Sequence, residues 1–178
     1  MLDSGFFGTA WAFKILEPVA DDKVLYSFHM YEPYAFTNHQ NKGKFAYPGE
    51  VPTGESDEPK KVRWDPASLK TYFEPVVAWQ ERHKVPSNRV FAGEFGCYRK
   101  NPGATAYLHD LLALFDAHRW RWAFYSFRED SWDGMNYELG TGKPPWSYWK
   151  AVEAGKPPNP AVYRDNPLSK TLKRALGR

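Results

Sequence analysis

An α/β fold with parallel strands is predicted by three features of this sequence. Short runs rich in β-branched and aromatic residues recur along the chain, segments of helical spacing separate them, and each run ends in polar residues. The first run is Val24-Leu25-Tyr26-Ser27-Phe28-His29 and the second is Arg89-Val90-Phe91-Ala92-Gly93-Glu94-Phe95. The third, Trp120-Arg121-Trp122-Ala123-Phe124-Tyr125-Ser126-Phe127, leads into Arg128-Glu129-Asp130. Each reads as a buried strand with chemistry at its C-terminal end.

The helical segments follow from spacing and end signals. Trp11 to Leu16 repeats apolar residues at helical intervals. Residues 66–84 open with Asp65 as N-cap and Pro66 in the first turn, and place Leu69, Phe73, Val76, Val77 and Trp79 on one side. Residues 102–118 begin with a proline and carry Ala106, Leu108, Leu111, Leu112, Leu114 and Phe115 before Arg119. One more helix is predicted over 144–154, after which Gly155-Lys156-Pro157-Pro158-Asn159-Pro160 breaks regular structure. Strands that alternate with helices pair in parallel through right-handed crossovers. The segment 30–64, rich in Pro, Gly, Asn and charge, is too long for an ordinary connection, and long loops after strands build the active sites of (β/α) barrels.

Composition narrows the function classes. The chain has 178 residues, the size of one compact domain with a substantial core. Its eight Trp, eleven Tyr and twelve Phe suit either a surface that stacks flat ligands or an aromatic core, and composition leaves both open. The net charge of +3 conceals a basic tail: Lys156, Arg164, Lys170, Lys173, Arg174 and Arg178 face only Asp165 within 155–178. The body is therefore no nucleic-acid platform, and the tail charge reads as solvated. Cys97 stands alone and no Cys/His cluster occurs, so neither an internal disulfide, a structural metal nor a cofactor is expected. No window reaches the ~18 apolar residues of a membrane span, and the N-terminus lacks a signal-peptide pattern, so a soluble chain without an export signal is expected.

The chemistry concentrates at strand ends. Glu94 stands between Gly93 and Gly96 at the end of an otherwise apolar run, and His29-Met30-Tyr31 ends the preceding one. Parallel neighbours would bring an imidazole and a phenol beside that carboxylate. Here the sequence resembles a family. Tyr26-Ser27-Phe28-His29-Met30-Tyr31-Glu32-Pro33 with Phe36-Thr37-Asn38-His39-Gln40, Gly93-Glu94-Phe95-Gly96, and Trp122-Ala123-Phe124-Tyr125-Ser126-Phe127 resemble the sixth, seventh and eighth strand motifs of glycoside hydrolase family 5, the cellulase family, over roughly residues 5–155.

The resemblance implies the C-terminal half of a TIM (β/α)8 barrel, about strands 5/6 to 8, over residues 1–155, with 156–178 as a basic tail. It implies a retaining glycosidase acting on β-linked glucan-type polysaccharide or oligosaccharide, in a family that usually acts outside the cell. Glu94 would be the nucleophile, Tyr31 would hydrogen-bond it, and His29 would contact the same network. His39, Tyr125, Trp122 and Trp132 would meet substrate; Tyr125 matches a position commonly held by Trp. The family's acid/base Glu follows an Asn at the end of the fourth strand, and no Asn-Glu pair occurs here. Glu32, Glu129, Asp130, Asp133 and Glu138 are read as contacts to sugar hydroxyls or solvent. The isolated chain is thus expected to be weak or inactive, completed by a second copy or an N-terminal half, without a nucleic-acid or membrane partner. A non-catalytic carbohydrate-binding fragment is the alternative.

Overall fold

The computed structural model describes residues 1–53, 60–128 and 134–177. Its strands in chain order are β1 (Leu2–Asp3), β2 (Tyr26–Met30), β3 (Gly49–Thr53), β4 (Lys60–Trp64), β5 (Val90–Phe95) and β6 (Arg121–Trp122). β1, β2, β5 and β6 form one all-parallel sheet in that order, so every strand ends on the same edge. The longer helices are α1 (Pro66–Tyr72), α2 (Glu74–His83), α3 (Ala104–Ala117), α4 (Trp146–Glu153) and α5 (Pro167–Leu176). Among the described residues no helix is long and apolar enough to cross a membrane.

Period-two alternation assigns one face of the sheet to the core. Tyr26, Phe28 and Met30 of β2 are fully buried, as are Val90 and Ala92 of β5. Phe28 meets Phe73 at 5.3 Å, Trp120 at 5.4 Å and Phe115 at 6.1 Å between ring centroids, and Phe95 meets Phe115 edge-on at 5.2 Å. Trp79 of α2 fits edge-on between Phe13 and Tyr26. Its indole N–H donates to the Leu16 carbonyl at 2.7 Å, so the largest buried ring leaves no donor unmet. Most of the aromatic excess therefore builds core. Each such ring contributes about 1.5–3 kcal/mol when buried.

Several elements depart from the sequence expectation. The 66–84 helix is two helices that meet at Phe73, because Pro75 interrupts the run in the first turn of α2; Asp65 caps α1 by accepting from the Ala67 and Ser68 amides. The helix expected at Trp11 is a 3₁₀ turn over Ala10–Lys14. The third predicted strand pairs regularly only at Arg121–Trp122, although the Ala123 and Tyr125 amides still donate to the Ala92 and Phe95 carbonyls at 2.9 and 3.2 Å. The long polar segment contains the antiparallel hairpin β3–β4. Residues 167–176 of the basic tail form α5, opened by a capping box between Asn166 and Ser169. Leu168 and Leu172 of α5 are buried, and it packs on α3, while Lys173 pairs with Asp165 at 2.7 Å on the outside.

Candidate active site

Glu94 owes its position to a break in the β2–β5 register. Phe28 lies opposite Ala92, but His29 lies opposite Glu94, so Gly93 is an extra residue on β5. Strict alternation from Val90 and Ala92 would point Glu94 into the aromatic core. The bulge shifts the phase by one: Phe95 takes the buried position, and Glu94 emerges on the opposite face, 41 % exposed. A Cβ on Gly93 would lie 2.4 Å from Ser27 Oγ, so any larger residue at the bulge requires that buried hydroxyl to move.

Three side chains converge there. The Tyr31 hydroxyl donates to Glu94 Oε2 at 3.0 Å. Burial, then the adjacent Glu94 carboxylate, push the Tyr31 phenol far above its ordinary range, so it remains a proton donor. His29 Nδ1 stands 3.8 Å from the same Oε2, and its Nε2 stands 3.9 Å from Asp3 Oδ1, placing the imidazole between two carboxylates. Gly8 covers the ring; a Cβ there would lie 2.8 Å from His29 Cγ, and Gly8 holds a left-handed φ of +76°. The Tyr31 carbonyl accepts from Thr37 Oγ1, and the Thr37 carbonyl accepts from the Tyr98 amide at 2.8 Å, which ties the loops after β2 and β5 together.

Beside Tyr31 lies a hollow of about 250 Å³ lined by Tyr34, Thr37, Asn38, His39, Tyr125 and Met135 as well. The structure thus brings His29, Tyr31 and Glu94 into one cluster and sets His39 and Tyr125 next to it. Trp122 lies elsewhere: its ring stands edge-on to Phe95 at 5.6 Å and lines a second cavity of about 330 Å³ with Phe124, Phe127 and Leu172. Trp132, Glu129, Asp130 and Asp133 fall outside the described residues. Glu32 accepts from the Tyr34 amide at 2.8 Å, and Glu138 is held by Arg128 at 2.6 Å, so both carboxylates are engaged in local structure. Among the described residues no group of His, Cys, Asp and Glu could hold a metal ion.

Asp3, Gly8 and Tyr34 carry no role in the sequence reading. Asp3 ends a two-residue strand, too short to show a period, and Gly8 contacts His29 only through the fold. The available signal was Gly93: a glycine inside a strand pattern marks a bulge or a close approach.

With this geometry in hand, comparison with known proteins gives a consistent answer. The family model described as cellulase, glycosyl hydrolase family 5, matches residues 8–131. No curated protein matches. Among solved structures, a hyperthermophilic endo-β-1,4-glucanase in complex with substrate is similar at 21 % identity and a TM-score of 0.62, covering 99 % of this chain and 46 % of that one. Endoglucanase Cel5A from Thermotoga maritima is similar at 22 % identity and a TM-score of 0.55, covering 95 % of this chain and 44 % of its own. A further endoglucanase shows 24 % identity and a TM-score of 0.54 over 75 % of this chain and 43 % of its own. The chain spans less than half the length of these relatives, and the shared fold is the parallel α/β arrangement of the TIM barrel.

Proposed function

Because this chain belongs to glycoside hydrolase family 5, the cellulase family, we propose that it supplies the nucleophile side of a retaining β-glycosidase acting on glucan-type chains. The observation that carries this reading is the Tyr31 to Glu94 hydrogen bond of 3.0 Å, set by a bulge that turns one carboxylate out of the core. Tyr31 and His29 both address Oε2, which leaves Oε1 to attack the anomeric carbon. The glycosidic bond breaks as the Glu94 ester forms, and water later cleaves that ester with net retention. By holding its proton, Tyr31 keeps the carboxylate ionised and aimed.

A retaining enzyme also needs an acid/base carboxyl about 5–5.5 Å from the nucleophile. Glu32 and Glu138 are engaged in local structure, and Asp3 lies across the His29 ring. We place the acid/base on further barrel strands, supplied by a complementing half or a second copy that pairs with the sheet edges at β1 and β6. Without it, loss of general-acid assistance costs ~10²–10⁴-fold in rate. The engagement of Glu32 and Glu138 also favours the second reading, a sugar-binding fragment without hydrolysis.

An activated 2-deoxy-2-fluoro-β-cellobioside tests the assignment, since its leaving group needs little protonation. Mass spectrometry of the chain, alone and together with a complementing half, is expected to find the glycosyl adduct on the peptide containing Glu94, and none in Glu94→Gln. An adduct on Glu138 or Glu129 instead would overturn the assignment. Ordinary turnover of cellooligosaccharides by the chain alone, abolished by Glu94→Gln, would show that a local carboxylate serves as the acid.

A further inference from the structure

We propose that Asp3 is a positioning residue for the nucleophile, acting through His29: its carboxylate sets the imidazole so that Nδ1 faces Glu94 Oε2. This rests on the glycosidase reading above. Asp3 lies opposite Ser27 of β2, and Ser27 and His29 are two residues apart on one side of that strand, so the Asp3 carboxylate and the imidazole share the face opposite the aromatic core. The Leu2 and Ser4 amides donate to the Leu25 and Ser27 carbonyls, each at 2.8 Å. The Asp3 backbone, not its side chain, therefore faces the free edge of β1. A strand added at that edge would pair with this backbone and leave the carboxylate beside His29. Among the described residues His29 is the one ion-pair partner of Asp3.

The imidazole needs such a partner. Two glycine backbones flank it: a Cβ on Gly8 would lie 2.8 Å from His29 Cγ, and one on Gly93 would lie 3.6 Å from Cδ2. Neither contact distinguishes the nitrogen edge of the ring from the carbon edge. Half a turn about the Cβ–Cγ bond would exchange Nδ1 with Cδ2 and Nε2 with Cε1, and would set carbon against both carboxylates. Charge decides between the two settings, because Nδ1 stands 3.8 Å from Glu94 Oε2 and Nε2 stands 3.9 Å from Asp3 Oδ1. Catalytic contacts of this length tighten when substrate fills the site. A histidine that meets a reacting group through one nitrogen is oriented by the partner of the other, and here that partner is Asp3. Its share grows during the reaction. Once the Glu94 ester forms, that carboxylate loses its charge and its hold on Nδ1, and Asp3 keeps the ring in place until water cleaves the ester.

The test is a double-mutant cycle in the full chain, read by the rate at which the activated 2-deoxy-2-fluoro-β-cellobioside labels Glu94. Asp3→Asn is expected to slow labelling about fivefold, the effect of a half-exposed ion pair, at unchanged melting temperature and half-saturating sugar concentration. In a His29→Ala background the same substitution should change nothing further. Asp3→Glu, which keeps the charge, should recover part of the rate. Long-range proton–nitrogen spectra of the ring, assigned by their loss in His29→Ala, should show hydrogen on Nε2 in the unmodified chain before and after labelling. Labelled Asp3→Asn should show two exchanging ring settings instead. Equal slowing in both backgrounds, or none in either, would overturn the inference and leave the glycosidase reading intact. A changed half-saturating concentration at the same maximal rate would make Asp3 a sugar contact and overturn it as well. Slowing that merely follows melting temperature across the Asp3 variants, with the ring spectrum unchanged, would make the residue structural and overturn it too. If the unmodified chain never labels, the glycosidase reading falls and this inference falls with it.

Discussion

The two faces of the β2–β5 pair do different work with the same backbone. On the helix side Tyr26, Phe28, Met30, Val90, Ala92 and Phe95 are sealed in an aromatic core. On the other side His29, Tyr31 and Glu94 stand at the strand ends, partly open, with polar contacts at 3.0 and 3.8 Å. One glycine, Gly93, decides which face receives Glu94. Core residues and the residues of the proposed site thus alternate along a single strand pair, and each half of that division can be broken.

The largest effect is expected from Phe28→Ala. Phe28 is fully buried among Phe73, Phe115 and Trp120, and a cavity at such a site costs about 3–5 kcal/mol. Urea unfolding should show that loss, or no folded protein at all. Glu94→Gln, on the other face, should shift the urea midpoint little and abolish fluorosugar labelling. Equal losses of stability from the two variants would end the division between faces.

Gly93→Ala strikes the point where the faces exchange. Its new methyl would meet Ser27 Oγ at 2.4 Å, and Ser27 is itself fully buried. Overpacking of this kind costs about 1–3 kcal/mol. More tellingly, it should reduce labelling at Glu94 even where the protein remains folded, because relief of the clash disturbs the register that points Glu94 outward. Full labelling by a destabilised Gly93→Ala protein would show that the bulge serves packing alone.

The same contrast explains what could be read from the sequence. β2 and β5 are recognisable strand runs and carry Tyr31, His29 and Glu94 to neighbouring ends, so the cluster was legible from composition and parallel order. The bulge was marked only by Gly93, a glycine that signals either a bulge or a close approach, and the residue order does not say which. β1 escaped notice since two residues have no period, and Asp3 went with it. The third run shows the reverse error: Trp120 to Phe127 has strand composition, but at the sheet edge only Arg121–Trp122 pairs regularly. Pro52 disguised β3, as a proline inside a run argues against a strand. In the tail the charges were read before the Asn166-Pro167 start and the Leu168, Leu172 spacing, which together specify α5.

Alkaline titration sharpens the comparison by its tyrosines. Burial raises the phenols of Tyr107 and Tyr137 in the core and of Tyr31 on the rim well above the ordinary value, and pushes Tyr72 up to about 12. A phenol whose folded pKa exceeds its unfolded value of about 10 stabilises the fold fully below that pH. Its contribution is lost as pH rises through the folded value. Stability should therefore hold to about pH 10 and fall above it. Phenolate absorbance and loss of near-ultraviolet circular dichroism should rise together for the core tyrosines. Early, reversible ionisation of these phenols without unfolding would show a looser core than the packing implies.

The smallest change in stability is expected from Tyr31→Phe, and it tests the rim most narrowly. The variant keeps the ring and removes only the hydroxyl that donates to Glu94 Oε2 at 3.0 Å. Glu94 is 41 % exposed and can recruit water in exchange, so the net loss should be about 0.5–1.5 kcal/mol. The chemical consequence should be larger than the structural one. Without that donor the carboxylate loses the partner that aims it, and formation of the fluorosugar adduct should slow by at least tenfold while the urea midpoint falls by only some tenths of a molar, roughly the stability loss divided by an ordinary m-value. A variant that labels at the unmodified rate would leave Tyr31 as a wall of the adjoining hollow and shift the task of holding Glu94 to His29.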